Sequence, residues 1–225
     1  MTQLKGGLVT NDRRLDRLPQ FDPRSRAFGV AQTLPGRPPR SYTWRGARVL
    51  DQGSEGACVG FGWAHELIAR PMIESRADEA YALSVYHDAR RVDEWPGEDY
   101  SGTSVLAGAK IVQARGHIRE YRWGFTFTDL IMSLGYAGPV VLGLNWYTGM
   151  MKPDVDGFIH PTGQVEGGHC ICAMGVSVAK GRIQLINSWG SDWGDAGLCW
   201  LSFDDVERLL YEQGEQCIPM GRQRV

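Results

Sequence analysis

The stretch Asp51-Gln-Gly-Ser-Glu-Gly-Ala-Cys58-Val-Gly-Phe-Gly-Trp-Ala-His-Glu-Leu-Ile-Ala-Arg70-Pro71 holds both a helix and a reactive position. The apolar run from Val59 and the stop at Pro71 predict a helix that starts at about Cys58. Its early turns are apolar on nearly every side, and Gly60 and Gly62 permit close packing. That pattern predicts a central, buried helix. A cysteine at a helix N-terminus meets unpaired backbone N–H groups and the positive end of the helix dipole, which both favour thiolate over thiol. The thiolate is the nucleophilic form, so Cys58 is a candidate nucleophile. Taken alone, such a cysteine is also an ordinary buried core side chain.

Three further helices are predicted in the first half of the chain. One runs from about Asp78 to Val92, one from Thr103 or Ser104 to Gly116, and a short one from Thr128 to Leu134, closed by Gly135. Past Pro139 the texture changes to strands at 140–145, 168–176, 182–187 and 197–202. Helices followed by strands predict an α+β protein. A helical half of about 41–135 packs face to face with a β half of about 136–225, and a cleft lies between them.

Residues 1–40 read differently. They carry eight Lys/Arg against three Asp, a local charge of +5, which leaves −7 on the rest of the chain. Five prolines, at 19, 23, 35, 38 and 39, predict an extended arm with little regular structure. Charge attraction to the body favours a brace laid over the domain. The alternatives are a segment that restrains the cleft and a tail that binds a partner.

The 225 residues are 43% apolar and 22% charged, with a net charge of −2. This excludes wholesale disorder and argues against a dedicated nucleic-acid binder. No apolar run approaches the ~18 residues of a membrane helix, so no membrane partner is expected. Met1-Thr-Gln-Leu-Lys-Gly-Gly lacks a signal-peptide pattern, and five cysteines are an odd number. A cytoplasmic, reducing location is the expectation. Oligomeric state stays open.

Two later segments complete a chemical pattern. Gly167-Gly-His169-Cys170 sets a candidate base at the start of an apolar strand. Asn187-Ser-Trp-Gly-Ser-Asp-Trp193-Gly-Asp-Ala-Gly197 sets an amide at the end of another. Asn187 can accept the imidazole N–H of His169 and fix its tautomer, with Trp189 covering that bond. Singly, a histidine in an apolar strand is most often a satisfied core residue.

Gln52, Cys58, His169 and Asn187-Ser-Trp-Gly190, in this order, resemble the papain family of cysteine peptidases. The resemblance covers about residues 42–202 and includes Tyr42-Thr-Trp-Arg upstream. It implies a papain-like fold, with the central helix packed against an antiparallel, β-barrel-like half, and hydrolysis of peptide or protein substrates through a thioester. In the roles it implies, Cys58 attacks as a thiolate paired with protonated His169, Asn187 orients His169, and Gln52 with the Cys58 N–H forms the oxyanion hole. Trp193 is implied as a wall on the leaving-group side. Gly102 is implied as a backbone partner for peptide, and Gly167 and Cys170 as neighbours of the main pocket.

The departures are local. Glu55 stands where secreted members have a disulfide cysteine, and Val59 where they have an aromatic. The segment 89–104 resembles bacterial and bacteriophage members, and a phage-encoded member could also be virion-associated. No long amphipathic helix of the usual inhibitory pro-segment is visible in residues 1–40. An amidase or peptide ligase on the same fold, or a silent binding module, are the alternative functions. No cofactor or metal pattern is present. Cys170, Cys172, Cys199, Cys217 and His65 read as packing residues, and His160 as a loop residue.

Overall fold

The longest strand, β4 (Val165–Ser177), runs through the middle of the sheet and carries His169. On one side it pairs with β3 (Val140–Tyr147) and on the other with β5 (Arg182–Ile186), all antiparallel. Buried residues run almost without interruption from His169 to Val176, as expected of a strand covered on both faces. Beyond β5 lies β6 (Leu198–Ser202); beyond β3 lie β7 (Glu215–Met220) and then β2 (Glu120–Gly124). A two-residue strand, β1 (Tyr42–Thr43), adds to β4. The hydrogen-bonded path runs β2-β7-β3-β4-β5-β6 and stays open among the described residues, so a closed barrel does not form. The computed structural model describes residues 15–46, 48–97, 99–223 and 225.

The helices are α1 (Cys58–Leu67), α2 (Glu79–Arg90), α3 (Val105–Ala114), α4 (Phe127–Tyr136) and α5 (Phe203–Tyr211). All ten residues of α1 are buried, as its all-round apolar pattern requires. Gly60 and Gly62 explain how it can sit so deep. A Cβ at Gly60 would collide with the Ala82 carbonyl of α2, and one at Gly62 would lie 2.7 Å from Cys170 Sγ of β4. The other helices start where their caps predict: Asp78, Ser104, Thr126 and Ser202 each accept from a first-turn N–H.

Packing divides the chain slightly differently from the sequence pattern. Leu130, Ile131, Met132 and Leu134 of α4 share a core with residues of β3, β4, β5 and β6. The residues of α1, α2 and α3 form the other core, which meets the sheet at Val141, Cys170 and Cys217. The helix α4 therefore belongs with the sheet.

Residues 1–14 of the arm lie outside the described residues; residues 15–40 are more structured than their prolines imply. Asp22 caps a 3₁₀ turn, Pro23–Phe28, and a second follows at Val30–Thr33. Val30 is fully buried in the sheet-side core, Gly29 bridges to Trp123, and the Arg40 Nε donates to the Gly135 carbonyl. Residues 20–40 thus lie against the domain. Residues 15–17 enter the cleft. No helix among the described residues is long and apolar enough to cross a membrane.

Gly60→Ala should destabilise the fold by about 1–3 kcal/mol, because α2 must shift to admit one methyl group. Urea denaturation of the two proteins reads this directly. An unchanged midpoint would mean that the α1–α2 approach is looser than described.

Candidate active site

Each candidate side chain reaches the cleft by a different backbone device. The N-cap of α1 is Ala57, which makes no side-chain cap, so the first-turn N–H groups stay directed at the site beside Cys58. The segment before the helix pairs with the segment after β5: Gln52 N–H donates to the Ser188 carbonyl (2.9 Å), and Gly190 N–H to that of Leu50 (3.3 Å). Gln52 is thereby fixed beside Asn187-Ser-Trp. Its Oε1 accepts from Ser188 Oγ at 2.6 Å, and its Nε2 donates to the Glu55 carbonyl at 2.8 Å.

His169 lies opposite Leu144 in the β3–β4 ladder, and Asn187 follows the last residue of β5. Asn187 Oδ1 meets His169 Nε2 at 2.8 Å and also accepts the Ser188 N–H at 2.8 Å. That backbone donor fixes which end of the amide faces the ring. His169 must then carry its proton on Nε2, which leaves Nδ1 as the basic nitrogen. Nδ1 is buried without a hydrogen-bond partner among the described residues. Trp189 lies 5.0 Å from the imidazole, ring to ring, and Trp146 lies 4.7 Å away, edge-on. Trp189 was legible as a cover; Trp146 was missed, because only the β3–β4 register brings it to the ring.

Cys58 is fully buried, and its Sγ donates to the carbonyl of Leu15 at 2.5 Å. The backbone N–H groups of Cys170 and Val59 face the sulfur. The next arm residues continue along the cleft. Arg17 N–H donates to the Gly168 carbonyl (2.7 Å), and Leu18 N–H to that of Thr103 (3.0 Å). Asp16 accepts from Ser101 Oγ at 2.7 Å. Gly102, at φ +89°, and Gly168 both lack a Cβ where one would strike the arm backbone, at Asp16 and Arg17 respectively. Gly167 meets Leu15. The implied peptide-contacting positions Gly102 and Gly167 therefore touch chain, with Thr103 and Gly168 supplying the hydrogen bonds.

With Leu15 in place, the Cys58 thiol hydrogen-bonds to the arm carbonyl. Burial pushes the thiol up to about 12 and lowers His169 to about 4, so both groups are neutral at neutral pH. The cause is burial: Leu15 covers the sulfur, and Trp146 and Trp189 enclose the ring. Trp193 packs beside this cluster. It is buried edge-on against Trp189, and its Nε1 donates to the Met151 carbonyl.

The remaining residues fall where their local sequence placed them. His65 Nε2 accepts the Leu50 N–H inside the core, and His160 pairs with Asp154 in an exposed loop. All five cysteines are free and buried, and no metal-holding cluster occurs among the described residues.

No family model matches the chain. Among solved structures, xylellain, a cysteine protease from Xylella fastidiosa, superposes with a TM-score of 0.67 at 18% identity, covering 94% of this chain and 98% of that one. Digestive procathepsin L2 from Tenebrio molitor superposes at 0.57 with 16% identity, over 82% and 69%. These likenesses establish the papain-like fold. A peptidase C1-like protein of Acanthamoeba polyphaga mimivirus is 22% identical over 190 residues, covering 64% of this chain and 61% of that protein. Cathepsin B-like CP3 of Giardia intestinalis is 28% identical over 78 residues, covering 33% and 26%. The chain thus spans less than two thirds of the length of both curated relatives.

In the intact protein, iodoacetamide at pH 6 should label none of the five cysteines at an appreciable rate. Cys58 is shielded and neutral, and the other four are buried in the cores. Mass-spectrometric mapping checks this, and fast labelling of Cys58 alone would show that the arm does not stay in the cleft.

Proposed function

We propose that this chain, which belongs with the papain-like (C1-type) cysteine peptidases, hydrolyses peptide bonds through Cys58, His169, Asn187 and Gln52, and that residues 15–17 restrain it. The observation that carries the reading is the Leu15 carbonyl on the Cys58 sulfur, which also faces the N–H of Cys170, the strand neighbour of the Asn187-bonded His169. A peptide segment already lies there, hydrogen-bonded through its backbone to Gly168 and Thr103.

Once the arm is displaced, water and substrate enter, and the desolvation that holds both groups neutral is relieved. The Cys58 proton passes to His169 Nδ1, and the sulfur attacks the substrate carbonyl carbon. The C–N bond breaks as His169 returns the proton to the leaving amine, and a thioester remains on Cys58. A water molecule, deprotonated by His169, hydrolyses the thioester and restores the thiol. Negative charge on the carbonyl oxygen is met by the Cys58 N–H and a Gln52 Nε2 hydrogen. Asn187 keeps the ring in the Nε2-protonated form. It adds no charge, so the imidazolium formed in the reaction stays acidic enough to give its proton back.

Gln52→Ala should lower kcat about 10²-fold with little change in KM, since the oxyanion exists only near the transition state. Asn187→Ala should cost less than His169→Ala. Steady-state hydrolysis of a fluorogenic peptide ranks the three, and an inverted order for the last two would remove Asn187 from its role.

The two parts of the arm should also separate. Deleting residues 1–18 should raise turnover per folded molecule, whereas deleting 1–40 should also lower Tm, because it removes buried Val30. The Arg17 contact is buried, so salt should affect the restraint little. Equal turnover of the intact and 1–18-deleted proteins would rule out restraint by the arm.

A further inference from the structure

The two oxyanion donors named above come from separate pieces of chain. The Cys58 N–H belongs to α1, and Gln52 to the segment that precedes it. Such donors stabilise a developing charge only if they are aimed at one point before the reaction begins. The bonds from Leu50 and Gln52 to Gly190 and Ser188 register the segment against the chain that carries Asn187. The bond from Gln52 Nε2 to Glu55 lies within the segment itself. Neither kind of bond ties Gln52 to the helix that carries the sulfur.

The side chain of His65 makes that tie. It lies on α1 seven residues beyond Cys58, about two turns along and therefore on the same face. Its Nε2 accepts the Leu50 N–H at 3.0 Å, and both residues are buried. Leu50 stands two residues before Gln52. The helix holds it through its N–H, and Gly190 holds it through its carbonyl. One helix face thus sets both the sulfur and the origin of the Gln52 segment.

Packing alone does not call for a histidine here. Apart from Cys58, only His65 and Glu66 of α1 carry an ionisable group, and Glu66 pairs with Arg222 at 3.1 Å. The buried Leu50 N–H needs an acceptor, and the carbonyls of a helix interior are engaged in its own ladder. An imidazole offers an acceptor without a charge. Burial lowers His65 to about 3, so at neutral pH the ring carries its single proton on Nδ1 and Nε2 accepts.

We infer that His65 is a positioning residue for the peptidase reaction: through the Leu50 N–H it fixes the Gln52 segment against α1, so that the Gln52 amide and the Cys58 N–H converge on one oxygen. This rests on the reading of Gln52 as an oxyanion donor.

The test uses the full chain. His65→Leu removes the acceptor, and His65→Gln keeps one. In His65→Leu the Leu50 and Gln52 amides should exchange with deuterium roughly 10-fold faster or more, while amides of the β3–β4 ladder keep their parent rates. His65→Gln should restore slow exchange to within about threefold. In the parent protein, NMR should detect nitrogen–nitrogen scalar coupling across the Leu50–His65 bond. These readouts need no turnover. On a fluorogenic peptide, His65→Leu should lower kcat about 10-fold with KM nearly unchanged, yet cost almost nothing further when added to Gln52→Ala. A histidine that only packs would lower kcat alike on both backgrounds. If His65→Leu does not fold, His65→Asn, too short to reach Leu50, answers by the same readouts. Unchanged exchange at Gln52, an absent coupling, or an equal loss of kcat on both backgrounds overturns the inference. Faster exchange at Gln52 in His65→Leu, with kcat untouched by Gln52→Ala, would sustain the anchor and sink the oxyanion reading.

Discussion

The close approach of α1 to β4 is the constraint on which the site depends. A helix buried on every face can be held only by neighbours that reach its backbone, and Gly60 and Gly62 provide that reach. With Gly62 against Cys170, the N-terminus of α1 comes to the strand that carries His169. The helix then brings the Cys58 sulfur to the N–H of Cys170, the next residue of the strand after His169. Any side chain at these glycines would push the two apart.

The chemistry is controlled by solvent. A thiol raised to about 12 and an imidazole lowered to about 4 have the opposite bias to a nucleophile–base pair. Burial causes both shifts. With the arm in place, Asn187 holds His169 and Gln52 sits against Ser188. Under the proposed function, the arm would act through access to water and leave that arrangement intact.

The parts of this structure that were legible in sequence are those specified locally. The α1 stretch declares itself through its apolar run and Pro71, and Asn187-Ser-Trp-Gly190 through its resemblance to the papain-family motif. The strands β2 and β7 were missed because each is defined by the other, Glu120 opposite Met220 across most of the domain, and β7 includes Pro219. The helix α5 carried readable signals, in the Ser202 cap and in Val206 and Leu209 on one face, which the strand texture around it masked. The course of residues 15–17 had no local signal. Leu-Asp-Arg is an ordinary triplet until the fold brings Gln213, 196 residues away, to its arginine. Its charge pointed to the body of the protein, but not to the cleft.

The brace gives the cleft segment a second property. Because Val30 is locked in the sheet-side core, residues 15–17 remain attached to a fixed point a short span of chain away even when they leave the cleft. A tether of that length sets an effective local concentration on the order of millimolar. Re-entry is then a unimolecular event that does not depend on how dilute the protein is. An incoming peptide competes with an occupant that is always nearby, so the accessible fraction of sites is set by the peptide's abundance and its fit. Severing the chain between Arg17 and Val30 would abolish that proximity at a stroke, turning a reversible equilibrium into a one-way release while the brace stayed bound to the domain.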